Sequence, residues 1–252
     1  MNIQLIAHTQ LSQKYRSSIL SELQDIIPVP KDSQIISLVA IRNCYSPNKP
    51  TDIVDLEGKK YFGNKATDGE TGTEADRLFR HITSSGHTST LEHLNYTFSI
   101  EGVSRALMAQ LTRHRHLSFS IQSMRYVPMS TESKSNGFNY IVPEKVDDRE
   151  FSEMQTARDI FEGAMRYAQS AYDQLRKAGV PQEDARAVIP QAATTNIVMT
   201  GNLRTLLDFY TKRKPGKGAQ HEITQLAEYI KSEILKVDEW LTPYFEEKQC
   251  IK

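Results

Sequence analysis

Leu94-Asn95-Tyr96-Thr97-Phe98-Ser99-Ile100 places an apolar side chain at every second position, and a few residues later Ser104-Arg105-Ala106-Leu107-Met108-Ala109-Gln110-Leu111 abandons that alternation. The first pattern is a strand with one buried face. The second gathers Ala106, Leu107, Ala109, Gln110 and Leu111 closely, as a helix running to about His114 does. A strand leading into a helix predicts an α+β protein, and outward from it helices dominate. Between 151 and 178, Phe151, Met154, Ala157, Ile160, Phe161, Ala164, Tyr167, Ala168, Ala171, Tyr172 and Leu175 recur at spacings of three and four, and Gly179 and Pro181 stop the helix. Further helices are predicted from a cap at Asp32 or Ser33 to Tyr45, from Glu74 to Ser85 with Gly86 ending it, from a cap at Asn202 to about Thr211, and from Gln220 to Trp240. Asn2 to His8 and Ile197 to Thr200 read as strands, and Ser46–Thr73, Ser130–Gly137 and Lys212–Gly218 as loops. With no repeat and no linker, residues 1–252 are expected to form a single, mostly helical α+β domain with a small antiparallel sheet.

Lys+Arg and Asp+Glu both number 31. Zero net charge argues against a general nucleic-acid binder, which needs a basic footprint on many phosphates, but leaves room for a small anion held by a few arginines. No basic start with a long apolar run opens the chain, and the apolar stretch Ile35 to Ile41 is too short to cross a bilayer, so no membrane partner is expected. Cys44 and Cys250 form no disulfide framework or metal pattern, and a reduced, cytoplasmic protein is expected.

The chemistry concentrates in Arg113-His114-Arg115-His116-Leu117-Ser118-Phe119-Ser120-Ile121-Gln122-Ser123-Met124-Arg125-Tyr126. Guanidinium groups present planar donor forks suited to phosphates and carbonyl edges. A helix feeding an extended stretch can bring Arg113 and Arg115 to one part of an anion, and Ser123 and Arg125 to another. Three other readings stand beside this one: a solvated basic turn, an RNA- or nucleotide-binding module without chemistry, and a metal site at His114 and His116. Zinc hydrolases of the H-x-H-x-D-H type continue with Asp and His, whereas Leu117 and Ser118 follow here. Ser123 has no base beside it in sequence.

The segment resembles the signature of the flavin-dependent thymidylate synthases: Arg-His-Arg, seven residues, Ser, then x-Arg-Tyr. Arg113, His114, Arg115, Ser123, Arg125 and Tyr126 match it. Upstream, His87-Thr88-Ser89-Thr90-Leu91-Glu92-His93 is similar to the family's H-x-x-x-x-E-H block. Alone it reads equally as capping and core hydrogen bonding, while the resemblance implicates His87, Ser89 and Glu92 in flavin contact. Gln110 matches a nucleotide-contacting position, Arg186 in Ala185-Arg186-Ala187-Val188-Ile189-Pro190 a substrate-binding arginine, Asn202-Leu203-Arg204 a flavin-holding element, and Arg213 an arginine at the uracil edge. Taken singly, each of these arginines reads as surface charge. Ser120, Ile121 and Asp208 depart from the common family residues, and the 214–218 loop is one residue longer. The matching blocks extend from about Ile35 to Leu226.

What the resemblance implies is conversion of dUMP to dTMP, with 5,10-methylenetetrahydrofolate giving the carbon, reduced FAD the hydride and NADPH re-reducing the flavin. Neither cysteine lies in a motif, which suits a reaction without a cysteine nucleophile. By the same resemblance, Arg213 is the catalytic group. His87, Ser89, Glu92, Arg113, His114, Arg115, Asn202, Arg204 and Asp208 face FAD, and Gln110, Arg113, Ser123, Met124, Arg125, Arg186 and Arg213 face dUMP. No metal is implied, and the active site is expected to assemble within a homotetramer.

Overall fold

The computed structural model describes residues 1–147, 149–152 and 155–246; Met154 and Cys250 lie outside them. In chain order the elements are β1 (Asn2–His8), α1 (Gln13–Leu23), α2 (Asp32–Tyr45), α3 (Ile53–Phe62), α4 (Glu74–Ser84), β2 (Asn95–Ser104), α5 (Arg105–Leu111), β3 (Ser118–Ile121), α6 (Glu144–Asp147), β4 (Glu150–Ser152), β5 (Gln155–Thr156), α7 (Ala157–Lys177), α8 (Gln182–Ala185), β6 (Thr194–Asn202), α9 (Leu203–Arg213), α10 (His221–Val237) and α11 (Thr242–Glu246). The main sheet has the order β1-β2-β6-β3, and β4 pairs with β5. Asn2 bonds Glu101 while Thr9 bonds Asn95, and Gly102 bonds Asn196 while Thr97 bonds Thr200, so β1, β2 and β6 run antiparallel.

Two compact units emerge. One comprises Met1–Gln4, Ser99–Met199 and Pro215–Leu226, the other Leu5–Phe98, Thr200–Lys214 and Ala227 onward. The first has a core of Met124, Met129, Phe138, Met165, Tyr172 and Ile189. The second packs Ile19 and Leu23 of α1, Ile35, Leu38 and Ile41 of α2, Val54 and Tyr61 of α3, and Phe79 and Ile82 of α4.

Strand β2 behaves as its alternation requires: Tyr96, Phe98 and Ile100 are buried. Differences lie where composition misleads. The expected loop Ser46–Thr73 contains α3. Gly58, inside that stretch, is a packing residue: a Cβ there would meet Val54 Cγ1 at 3.4 Å and Leu23 Cδ2 of α1 at 3.7 Å. The Glu57 carboxylate then gathers Arg42 Nε (2.6 Å), Asn48 Nδ2 (2.9 Å) and Ser46 Oγ, fixing the chain that enters α3. The long helix α7 starts at Ala157, because Thr156 and Asp159 form a reciprocal cap, and Phe151 belongs to β4. β6 extends from Thr194 to Asn202, longer than its apolar centre suggested. α2 is capped one residue earlier than expected, at Lys31, and α10 ends at Val237, with Trp240 in a separate 3-10 turn.

A buried hydroxyl network ties the last of these together. Asp238 accepts from Tyr96 OH (2.6 Å) and from Ser33 Oγ, which itself accepts from Trp240 Nε1 at 3.0 Å. Burial, reinforced by the Asp238 carboxylate, holds the Tyr96 phenol well above its ordinary pKa. Tyr96→Phe leaves Asp238 with one donor fewer in a buried place, a loss of about 1.5–3 kcal/mol for a hydrogen bond to a charged group. Urea unfolding should show that loss, and an unchanged midpoint and slope would show the contact to be energetically idle.

Candidate active site

Within the first unit, the direct passage of β2 into α5 places Arg105 on the first helical residue and Gln110 near the last turn. Ser104 makes this possible: its side chain accepts from the Leu107 N–H and caps α5. The Arg105 and Ala106 N–H groups then donate to the Ala193 and Gln191 carbonyls, stitching the helix start to the chain that follows Arg186. Arg105 is consequently near Arg186. Burial and the neighbouring Arg186 charge both lower the Arg105 pKa, and its guanidinium donates to Met124 Sδ at 3.5 Å. No carboxylate among the described residues bonds either arginine, since Arg186 Nε donates to the Glu183 carbonyl instead.

Ser123, Met124 and Arg125 come to the same place. Ser123 Oγ accepts from the Arg125 N–H (3.2 Å), which leaves its own O–H as a donor. Gln182 Nε2 donates to the Met124 carbonyl at 3.2 Å. Arg125 pairs with Glu183 (3.0 Å), both about half exposed. Such a solvated pair contributes about 0–1 kcal/mol and can be exchanged for an incoming anion. The guanidinium of Arg125 also lies 5.7 Å from the ring centre of the exposed Tyr126. Arg113 and Arg115 are exposed in the turn before β3, with no carboxylate bonded to either among the described residues, and Gln110 Nε2 donates to Gln220 Oε1. This is a cationic, donor-rich surface suited to a phosphate monoester.

The second unit holds the other predicted group. The His87-to-His93 block forms a 3-10 turn over Thr88–His93 that packs against α2 and α9. His87, Ser89 and Glu92 are exposed on it. Tyr45 OH lies 3.1 Å from His87 Nδ1, and Glu92 pairs with Arg204 Nη1 at 2.5 Å. Asn202 caps α9 by accepting from Thr205 N–H at 2.9 Å. Helix α9 continues through Lys212 and Arg213, which the sequence reading assigned to a loop, so Arg213 is the last helical residue and half-buried. Asp208, expected to face a cofactor, pairs with Lys212 at 2.7 Å. A cavity of about 450 Å³ adjoins the 3-10 turn, walled by Tyr15, Ile36, Val39, Cys44, Ser89 and His93. An exposed arginine, an imidazole, a hydroxyl and this largely apolar cavity fit the ring and the polar edges of a flavin. Among the described residues no three His, Cys, Asp or Glu side chains group as metal ligands.

The family model for thymidylate synthase complementing protein matches residues 25–239. The chain belongs to that family. A flavin-dependent thymidylate synthase of Geobacter sulfurreducens is 46% identical over 146 residues, which are 58% of this chain and 59% of that protein. One from Clostridium tetani is 35% identical over 225 residues, covering 82% and 80%. The fold is shared with the Helicobacter pylori flavin-dependent thymidylate synthase solved with FAD and dUMP, at TM-score 0.63, 21% identity and 98% coverage of both chains. It is shared equally with a UMP/dUMP methylase of Streptomyces cacaoi bound to 5-Br dUMP, at TM-score 0.65, 21% identity and 96% and 94% coverage.

Sequence reasoning missed Arg105. Its only local signal was an arginine directly after a helix-capping serine, and its meaning depends on Arg186, distant in sequence. Arg105→Met keeps the aliphatic stem but removes a charge. It should weaken binding of a nucleoside 5′-monophosphate about tenfold or more, matching the loss of a charge-assisted hydrogen bond. Titration calorimetry reads this, and unaltered affinity would assign Arg105 to packing alone.

Proposed function

We propose that the protein is a flavin-dependent thymidylate synthase that converts dUMP to dTMP, with 5,10-methylenetetrahydrofolate as carbon donor and NADPH as reductant. One observation carries the reading: Arg105, on Met124 Sδ, and Arg186, on the Glu183 carbonyl, bond no carboxylate among the described residues, and Ser123 and the exchangeable Arg125 flank Met124. These groups would hold the dUMP phosphate, with Gln110 and Arg113 reaching the rest of the nucleotide. His87, Ser89, Glu92, Arg115, Asn202 and Arg204 would hold FAD, which when bound supplies hydride. His114 belongs to the same expected set, and so does Asp208 once it exchanges its Lys212 partner.

Carbon–carbon bond formation at C5 of uracil needs an electron-rich ring. Arg213 supports this by stabilising negative charge at the N3–O4 edge, a fixed cation that needs no reorganisation during the reaction. Its place at the end of α9, capped by Asn202 and anchored by buried Leu206, Leu207, Phe209 and Tyr210, gives it that rigidity. Ser123 donates a hydrogen bond and is not a nucleophile: no His, Asp or Glu side chain bonds its hydroxyl among the described residues. A homotetramer in which copies complete each other's sites is part of the proposal. So is a cytoplasmic location, with which the exposed free thiol of Cys44 agrees.

Arg213→Ala tests the assignment. The variant should keep bound FAD, seen in its visible absorbance, and lose dTMP formation by about 100-fold or more, as removal of one preorganised donor does. Full dTMP formation by a flavin-loaded variant would refute the role of Arg213.

A further inference from the structure

Helix α5 spans seven residues, too few to persist without external support. It also begins unfavourably. Arg105 brings a cation to the helix N-terminus, where the backbone dipole already presents positive charge, and Arg186 adds a second cation nearby. Glu222, in the first turn of α10, answers both problems. One carboxylate oxygen accepts from the Ser104 N–H at 2.8 Å and the other from Ser104 Oγ at 2.5 Å. The same Oγ caps α5 through the Leu107 N–H at 3.0 Å. Two residues before Glu222, Gln220 Oε1 accepts from Gln110 Nε2 toward the other end of α5. The start of α10 therefore grips α5 at two points, one adjoining Arg105 and one on Gln110.

We propose that Glu222, assisted by Gln220, is a positioning residue for nucleotide binding: it holds α5 so that Arg105 stays beside Arg186 and the Gln110 amide stays oriented. Glu222 does not touch the nucleotide. Its carboxylate lies at the positive end of the α5 dipole, and it leaves the arginine donors open because it binds Ser104 instead. The clamp rests on the proposed dUMP reading for its consequence, but its existence does not.

The experiment compares wild type, Glu222→Ala and Glu222→Gln, each flavin-loaded, by hydrogen exchange over 104–111 and by dUMP kinetics. In Glu222→Ala the amides of 104–111 should exchange faster, and KM for dUMP should rise about tenfold, more than kcat falls, with flavin absorbance retained. Glu222→Gln keeps one acceptor but no charge and should lie between. Should the Ala variant fail to fold, the Gln variant decides by the same readings. Faster exchange with unchanged KM, a loss confined to kcat, or unchanged exchange overturns the proposal. Absence of dUMP turnover by wild type would refute the functional reading, and exchange would still uphold or overturn the clamp.

Discussion

Two half-buried guanidinium groups, the charge of one lowering the pKa of the other, that bond no carboxylate among the described residues form an arrangement that folding alone does not favour. Arg105 and Arg186 stand so because their backbones are committed elsewhere: α5 is capped by Ser104, its first amides bond the Ala193 and Gln191 carbonyls, and Arg186 sits in the turn after α8. The resulting positive potential is local, since the chain as a whole is neutral. An anion that bridges the pair gains both charge-assisted hydrogen bonds and relief of repulsion. Positive charge accumulated at fixed donors is what distinguishes a phosphate seat from a solvated basic turn.

The group in the other unit follows a different rule. Its charges are mostly compensated: Arg204 by Glu92, Asp208 by Lys212. These partners are about half exposed, so exchanging one for a cofactor group costs little. The turn that carries His87, Ser89 and Glu92 is fixed by packing on α2 and α9, and its exposed side chains adjoin a largely apolar cavity. A cofactor with a broad ring and polar edges needs such a mixture of apolar wall and exchangeable polar partners.

Apolar periodicity is enough for the face of β2 and for helices α2 and α10, because there the residues that pack are the residues that show the period, while α4 and α9 are announced by Gly86 and the Asn202 cap. The period fails for α3, where Gly58 serves close packing with α1 and Glu57 serves as a buried anchor, both disguised as loop residues. Helix α1 carries no apolar period to announce it, since its only buried residues are Ile19 and Leu23. The start of α7 was misplaced because Phe151 continues the apolar spacing across a cap that only Thr156 and Asp159 announce. Ser123, Met124 and Arg125 stand out through a spaced signature and Arg186 through a separate element, and Arg125 and Arg186 both meet Glu183 in the fold. Arg105, Glu183 and Glu222 do not stand out, since each acquires meaning only from a partner far along the chain.

The most direct measurement is release of tritium from dUMP labelled at C5, in the presence of methylenetetrahydrofolate and NADPH, by the flavin-loaded protein and by the same protein stripped of flavin. The account predicts release and dTMP formation that depend on FAD. No release from the flavin-loaded protein, or equal release after stripping, would contradict it.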